Sequence, residues 1–136
     1  MSMFSLDEDQ RQIQESMRRF AADKMRPIAR DCDENAAIPD EFLTDSWALG
    51  IAPNMIPEQF GGYASARSVL NNAIMAEELA YGDLSLAAAV MAPYLCVLPI
   101  LEMGTDAQKA KYLPAFCADN YTMGTLAVME HAVGFN

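Results

Sequence analysis

From Leu84 to Leu101 the chain reads LSLAAAVMAPYLCVLPIL, 18 residues without a charge. A stretch of that length reaches the threshold for a helix that crosses a bilayer. Two prolines, Pro93 and Pro99, interrupt it, and Asp83 and Glu102 flank it with no Lys or Arg on either side. Membrane spans are normally flanked by basic or aromatic anchors, so a helix buried inside a soluble bundle explains the stretch better. Such a helix needs neighbours on most sides. Pro93 should kink or split it, and Gly104 should end it.

The 136 residues suffice for one domain that folds on its own apolar core, with 52% apolar and 21% charged residues. That composition excludes a disordered or low-complexity chain. Nine basic against 19 acidic residues give a net charge of −10. An acidic surface repels phosphate backbones and anionic lipid heads, so neither nucleic acid nor a membrane is an expected partner. Cys32, Cys96 and Cys117 form no CxxC pair, and His131 is the single histidine. The spacing gives no metal site and points to a reducing compartment. The opening MSMFSLDEDQ has neither the basic–apolar pattern of a signal peptide nor the Arg-rich pattern of a transit peptide, so the expected location is cytoplasmic.

The remaining pattern is helical. Ser5 with Glu8 reads as a capping box, followed by Leu6, Ile13, Met17, Phe20 and Ala21 on one face of a helix ending near Pro27. Ile28, Ala29 and Cys32 suggest a further turn or two. Pro39-Asp40-Glu41 opens a second helix with Phe42, Leu43, Ser46 and Trp47 on one face and Gly50 past its end. Residues 51–66 read as loop, with Gly61-Gly62 as a turn pair. Ser65 or Ser68 caps a third helix running to about Tyr81. Val69, Ala73, Ala76 and Ala80 line one side of it; Leu70, Ile74 and Leu79 widen that side. The apolar stretch forms the fourth helix. Thr105 to Gln108 is a second capping box, opening a fifth. From Tyr121 to Met129 β-branched and small residues suggest an extended segment. The fold expected is therefore all-α, a bundle of about five helices with an extended C-terminal tail. Two helices apolar on more than one side, and a strand with no partner, suggest that one face docks against more protein.

Reactive groups are few. Glu130 beside His131 is no acid–base pair unless the backbone turns both to one side. Glu77 and Glu78 point about 100° apart on a helix, so they share no site. A solvated face is the first expectation for both, and a half-buried, ion-paired carboxylate for one of them the second. The cysteines have apolar neighbours and read as small hydrophobes. The ten methionines read as deformable core or an adaptable apolar groove. These residues by themselves name no reaction.

The motif series does carry a resemblance. Leu49-Gly50-Ile51, Pro57-Glu58 with Phe60-Gly61-Gly62, Glu77-Glu78-Leu79-Ala80 with Asp83 and Ser85, and Gly104-Thr105 with Gln108-Lys109 and Lys111-Tyr112-Leu113-Pro114 stand in order behind an opening helix from Leu6 to Phe20. In this the chain resembles the N-terminal helical domain of the acyl-CoA dehydrogenase family. The resemblance implies a three-part subunit: helical domain, small β domain and C-terminal helical bundle. FAD and an acyl-CoA thioester lie between the parts. It divides this chain into a helical N-terminal domain over 1–120 and the start of the β domain over 121–136.

In the family a Glu takes the α-proton of the thioester while flavin takes hydride, and that Glu lies beyond Asn136. The resemblance therefore places no catalytic residue in this chain. The family's Thr-Glu-Pro-x-x-Gly-Ser-Asp run reads here Met129-Glu130-His131-Ala132-Val133-Gly134-Phe135-Asn136. Glu130 and Gly134 match; Met129 and Phe135 replace hydroxyl residues and supply no side-chain hydrogen bond. On the family pattern Leu126, Val128, Met129, Gly134 and Phe135 would meet the cofactor FAD. Ala87, Ala88, Met91, Leu95 and Phe135 would meet the acyl chain. The expected partners are acyl-CoA and the rest of a dehydrogenase subunit, or a dehydrogenase partner chain, in a homo- or hetero-oligomer. The alternatives are a non-catalytic partner or CoA-ester-binding subunit of a dehydrogenase complex, and an unrelated helical adaptor sharing only the fold.

Overall fold

The computed structural model describes residues 5–64 and 68–128. Helix α1 (Glu8–Phe20) and helix α2 (Arg26–Asn35) form one continuous rod, joined by a wider π-turn, Ala21–Met25. The capping box lies two residues later than the sequence suggests. The Gln10 backbone N–H donates to Asp7 Oδ1 (2.8 Å), and the Asp7 N–H donates to Gln10 Oε1 (3.0 Å). A carboxylate there also meets the positive end of the helix dipole, which a serine hydroxyl does not.

Pro27 does not end the rod. The Arg26 N–H reaches back to the Ala21 carbonyl, and Pro27 falls in the first turn of α2, where its missing N–H leaves no bond unmade. Met17, Ala21 and Met25 are buried along the rod, with Ile28, Ala29 and Cys32 packed beside them. The rod ends at Ala36, which is left-handed (φ 49°). The Ala36 and Ala37 N–H groups close back on the Asp33 and Cys32 carbonyls. Glycine takes that conformation freely, whereas a β-carbon costs about 1 kcal/mol there. Ala36→Gly is therefore expected to stabilise the fold by about 1 kcal/mol in urea denaturation. Equal or lower stability would show that the αL turn is unstrained.

Helix α3 (Asp40–Trp47) starts after Pro39 and buries Phe42 and Ser46. Phe42 stacks at 5.8 Å from Phe20, and Lys24 is ion-paired to Asp45 (2.8 Å). The segment expected to be a plain loop is instead part of the core. It contains two short 3-10 turns, Pro53–Met55 and Glu58–Phe60, and Ile51, Ala52, Met55 and Ile56 are buried. The buried Tyr94 hydroxyl donates to the Ile51 carbonyl (3.1 Å). Burial pushes that phenol's pKa far above its ordinary value.

Helix α4 (Val69–Gly82) is capped by Ser68, whose Oγ accepts from the Asn71 N–H (3.1 Å). It buries Ile74, Met75, Glu78 and Leu79. The expected face of Val69, Ala73 and Ala80 is exposed instead. Two large aliphatics and a methionine remove more apolar surface from water than a row of alanines does. α4 lies along α1 and against the π-turn. At its end Gly82 leaves no room for a side chain, because a Cβ there would sit 2.9 Å from Ala21 Cβ and 3.0 Å from Met25 Cβ.

The apolar stretch divides as Pro93 predicts. Helix α5 (Leu84–Met91) and helix α6 (Tyr94–Met103) meet at a 42° bend. No single helix among the described residues is long and apolar enough to cross a membrane. Leu86, Ala87, Val90, Tyr94 and Val97 join the core, but Leu84, Leu95 and Met103 (88% exposed) stay open. Gly104 ends α6, and the Thr105–Gln108 capping box opens helix α7 (Asp106–Tyr112), both as read from the sequence. A last 3-10 turn, Leu113–Cys117, buries Leu113 and Phe116. The chain then runs without regular structure to Val128, and no β-strand occurs among the described residues.

Candidate functional site

Of the residues singled out by the sequence, Ala88, Met91 and Leu95 lie at the α5–α6 bend, and Gly124 brings the segment that leads to Leu126 and Val128 against it. Ala88, Met91 and Leu95 follow one another at helical spacing on the side of the bend away from the core: Ala88 is exposed, Met91 half-buried and Leu95 49% exposed. Ala87 is not on this face. One residue on a helix is a rotation of about 100°, and Ala87 points into the core at 4% exposure.

The tail is held against the same bend. Trp47 Nε1–H donates to the Ala118 carbonyl (2.6 Å), and the Tyr121 ring meets Trp47 edge-on at 5.5 Å and 76°. The Tyr121 hydroxyl donates to the Ala89 carbonyl on α5 (2.8 Å). Burial raises the Tyr121 pKa, which keeps that hydroxyl a donor. Gly124 then passes so close that a Cβ would lie 2.8 Å from Cys96 Cβ and 3.0 Å from the Pro93 Cα and carbonyl oxygen. Beyond it Leu126 (50%) and Val128 (55%) are exposed, beside Met123. The backbone of residues 123–128 makes no hydrogen bond among the described residues. Met129, Glu130, His131, Gly134 and Phe135 lie outside the described residues.

Sequence reasoning missed Trp47, Tyr121 and Gly124 as parts of this site. The visible signal was a single Trp, with a Tyr and a Gly inside an otherwise β-branched segment. Gly124→Val is expected to lift the tail from the bend and speed chymotryptic cleavage after Tyr121 about tenfold, with the helical rod unaffected. Unchanged cleavage would mean that the close approach is not needed to hold the tail.

Among the described residues the surface at the bend is apolar apart from the Tyr121 hydroxyl and the half-buried Cys96 thiol. Burial raises the Cys117 pKa, so its thiol stays protonated at neutral pH. Among the described residues no three His, Cys, Asp or Glu side chains gather as metal ligands.

Of the two adjacent glutamates, Glu77 keeps the expected solvated position. Glu78 does not: it is 1% exposed on the side of α4 facing α1. Arg18 Nε donates to its Oε2 and Gln14 Nε2 to its Oε1 (2.9 Å). The Arg18 hydrogen bond holds the Glu78 pKa below the ordinary carboxylate range against the opposing effect of burial, with Gln14 assisting. The Arg18 and Arg26 guanidinium carbons lie 4.0 and 4.6 Å from the Tyr81 ring centroid. This carboxylate is committed to holding α4 on α1. An open cleft of about 600 Å³ lies at the other end of α5, lined by residues such as Cys32, Ala36, Ile38, Asp83 and Ser85. None of the residues singled out for substrate or cofactor lines it.

Among the described residues the bend thus presents an apolar helix face beside a length of backbone without hydrogen bonds. Residues 7–120 match the family model described as acyl-CoA dehydrogenase, N-terminal domain. The chain is 33% identical over 116 residues to a probable medium-chain specific acyl-CoA dehydrogenase of Caenorhabditis briggsae, covering 85% of this chain and 28% of that protein. Its fold superimposes on butyryl-CoA dehydrogenase from Megasphaera elsdenii with a TM-score of 0.83 and 28% identity, over 98% of this chain and 35% of that one. It superimposes on the FAD complex of PigA with a TM-score of 0.72 and 30% identity, over 87% and 31%. The chain thus spans about a third or less of the length of these relatives. It belongs to the acyl-CoA dehydrogenase family, of which residues 7–120 are the N-terminal helical domain.

Proposed function

We propose that this domain supplies one wall of the acyl-CoA and flavin site of an FAD-dependent dehydrogenase acting on acyl-CoA thioesters. Ala88, Met91 and Leu95 cover the acyl chain, and residues 125–128 run beside the flavin. The observation that carries the reading is an open apolar helix face at the α5–α6 bend, with Gly124 against it leading into backbone that makes no hydrogen bond among the described residues. Small side chains at Ala88 leave volume for a chain of methylenes, and Met91 adapts to its shape.

The residues present fit a flavin. The N–H and C=O groups of 125–128, which make no hydrogen bond among the described residues, can bond the polar edge of a ring, and Leu126 and Val128 can pack on its face. FAD, when bound, supplies the redox chemistry by accepting hydride. This chain's own part is to orient the thioester tail, shield it from water and anchor the segment entering the next domain. The open faces of α4 and of α5–α6 suit cover by the rest of a subunit or by a partner subunit. The three thiols are unpaired in the fold, which suits a reducing compartment such as the cytoplasm.

The test is the visible spectrum of natively purified protein, with FAD added and then with acyl-CoA thioesters of graded length. Flavin bands that appear with FAD and shift on adding an acyl-CoA are the expected result. A second reading rests on Met129 and Phe135, which stand where the family has hydroxyl residues: a non-catalytic or CoA-ester-binding partner of a dehydrogenase. A chain that by itself refuses FAD but co-purifies with a flavoprotein would replace the first reading by the second.

A further inference from the structure

We infer that Tyr121 is a positioning residue for this site: its hydroxyl stands in for the backbone N–H that Pro93 lacks and fastens the tail to the α5–α6 bend. In an unbroken helix the N–H of residue 93 would bond the carbonyl of residue 89. Proline has no N–H to give. The Ala89 carbonyl is left with the Ala92 N–H at 3.2 Å, the tighter reach of a 3-10 turn. Tyr121 O–H fills the remaining position at 2.8 Å. Pro93 therefore does two things at once. It bends the apolar helix, and it vacates an acceptor that a side chain from the tail can use.

The tyrosine is held from its other side as well. Its ring lies edge-on against Trp47, and the Trp47 indole holds the Ala118 carbonyl. The Ala118–Tyr121 link is thus fastened to α3 at one end and to α5 at the other. Three residues on, Gly124 lies against Pro93 and Cys96, next to Leu95 of the apolar wall. These fastenings set the direction in which residues 125–128 leave the bend. The inference rests on the reading above, that those residues meet the flavin.

Tyr121→Phe tests it, because the ring stays on Trp47 and only the hydroxyl is lost. Trp47 is the single tryptophan of the chain and reports whether the tail is seated. The expected result is about twofold greater acrylamide quenching of Trp47 emission and about fivefold weaker FAD binding, with helical circular dichroism unchanged. In a Pro93→Ala background, where residue 93 regains its N–H, the effect of Tyr121→Phe on Trp47 quenching is expected to shrink. Unchanged quenching in Tyr121→Phe overturns the fastening. Greater quenching with unchanged FAD affinity overturns the positioning role. If the unsubstituted chain takes up no FAD, the reading of the site fails and the positioning role with it, while the quenching result judges the fastening by itself.

Discussion

Gly62→Ala is expected to remove about 4 kcal/mol of stability and to lower the thermal midpoint by roughly 15 °C. A Cβ at this position would sit 1.9 Å from the Ile56 carbonyl oxygen and 2.6 Å from that of Pro53. Both neighbours are backbone, so no side chain can swing aside. Both carbonyls are also engaged, Ile56 with the Ala64 N–H (3.0 Å) and Pro53 with the Tyr63 N–H (2.9 Å). Opening the turn would break those bonds and disturb the buried Met55 and Ile56 beside it.

The adjacent Gly61 gives the contrast. Its φ is +93°, but an added Cβ would meet only Cys117, at an ordinary 3.6 Å. Gly61→Ala should cost only the backbone strain, about 1–2 kcal/mol. Urea denaturation of the two variants side by side checks the difference. Equal losses would mean that turn conformation alone, not the close backbone approach, requires the pair.

Arg18→Met is expected to leave the Glu78 carboxylate buried with Gln14 as its remaining donor and to lower stability at neutral pH. Methionine preserves most of the apolar stem, so packing on α4 changes little. The pH dependence is the sharper test. In the unsubstituted protein the Glu78 pKa is lowered by folding. Its contribution is present above the ordinary glutamate pKa of about 4.3 and is lost as pH falls through the lower folded value.

Without Arg18, burial acts on the carboxyl with only Gln14 opposing it, and its folded pKa should rise above the unfolded one. The deficit is then smallest at low pH and grows as pH rises through the raised value. The variant should therefore be closer to wild type at pH 4 than at pH 7. A constant deficit across that range would show that Glu78 is not the group left stranded.

Features set by neighbours in sequence were legible before the structure was known. Thr105 and Gln108 cap α7, Gly104 ends α6 and Pro93 splits the apolar stretch, because each effect acts within one turn of helix. Phase on an all-apolar helix was not legible. α4 carries aliphatic residues on several sides, and only its packing on α1 decides that Ile74, Met75 and Leu79 turn inward while Val69 turns out. Burial of Glu78 depends on Arg18, a residue 60 positions earlier. Local pattern could only weigh it as the less expected alternative.

At the site, Ala88, Met91 and Leu95 were readable as one stripe from their spacing, and Ala87 failed by a single residue of rotation. The Trp47–Tyr121 contact joins elements far apart in the chain and left no periodic trace. Family resemblance supplied the expectation that residues of the tail face a cofactor, which composition could not.

The π-turn from Ala21 to Met25 fixes how much chain the long rod must contain. Its wider loop takes up one residue more than an α-turn of the same rise, so Ile28, Ala29 and Cys32 keep their place against the core although the rod carries an extra residue. Deleting Asp23 would close the segment into ordinary α-helix with Ile28, Ala29 and Cys32 still on the core they now cover. Pro27 would at the same time fall within an uninterrupted helix, where its ring collides with the preceding turn. Changes of length in this domain should therefore be tolerated at its surface turns and excluded from this short stretch, although the side chains of Ala22 and Asp23 themselves face solvent.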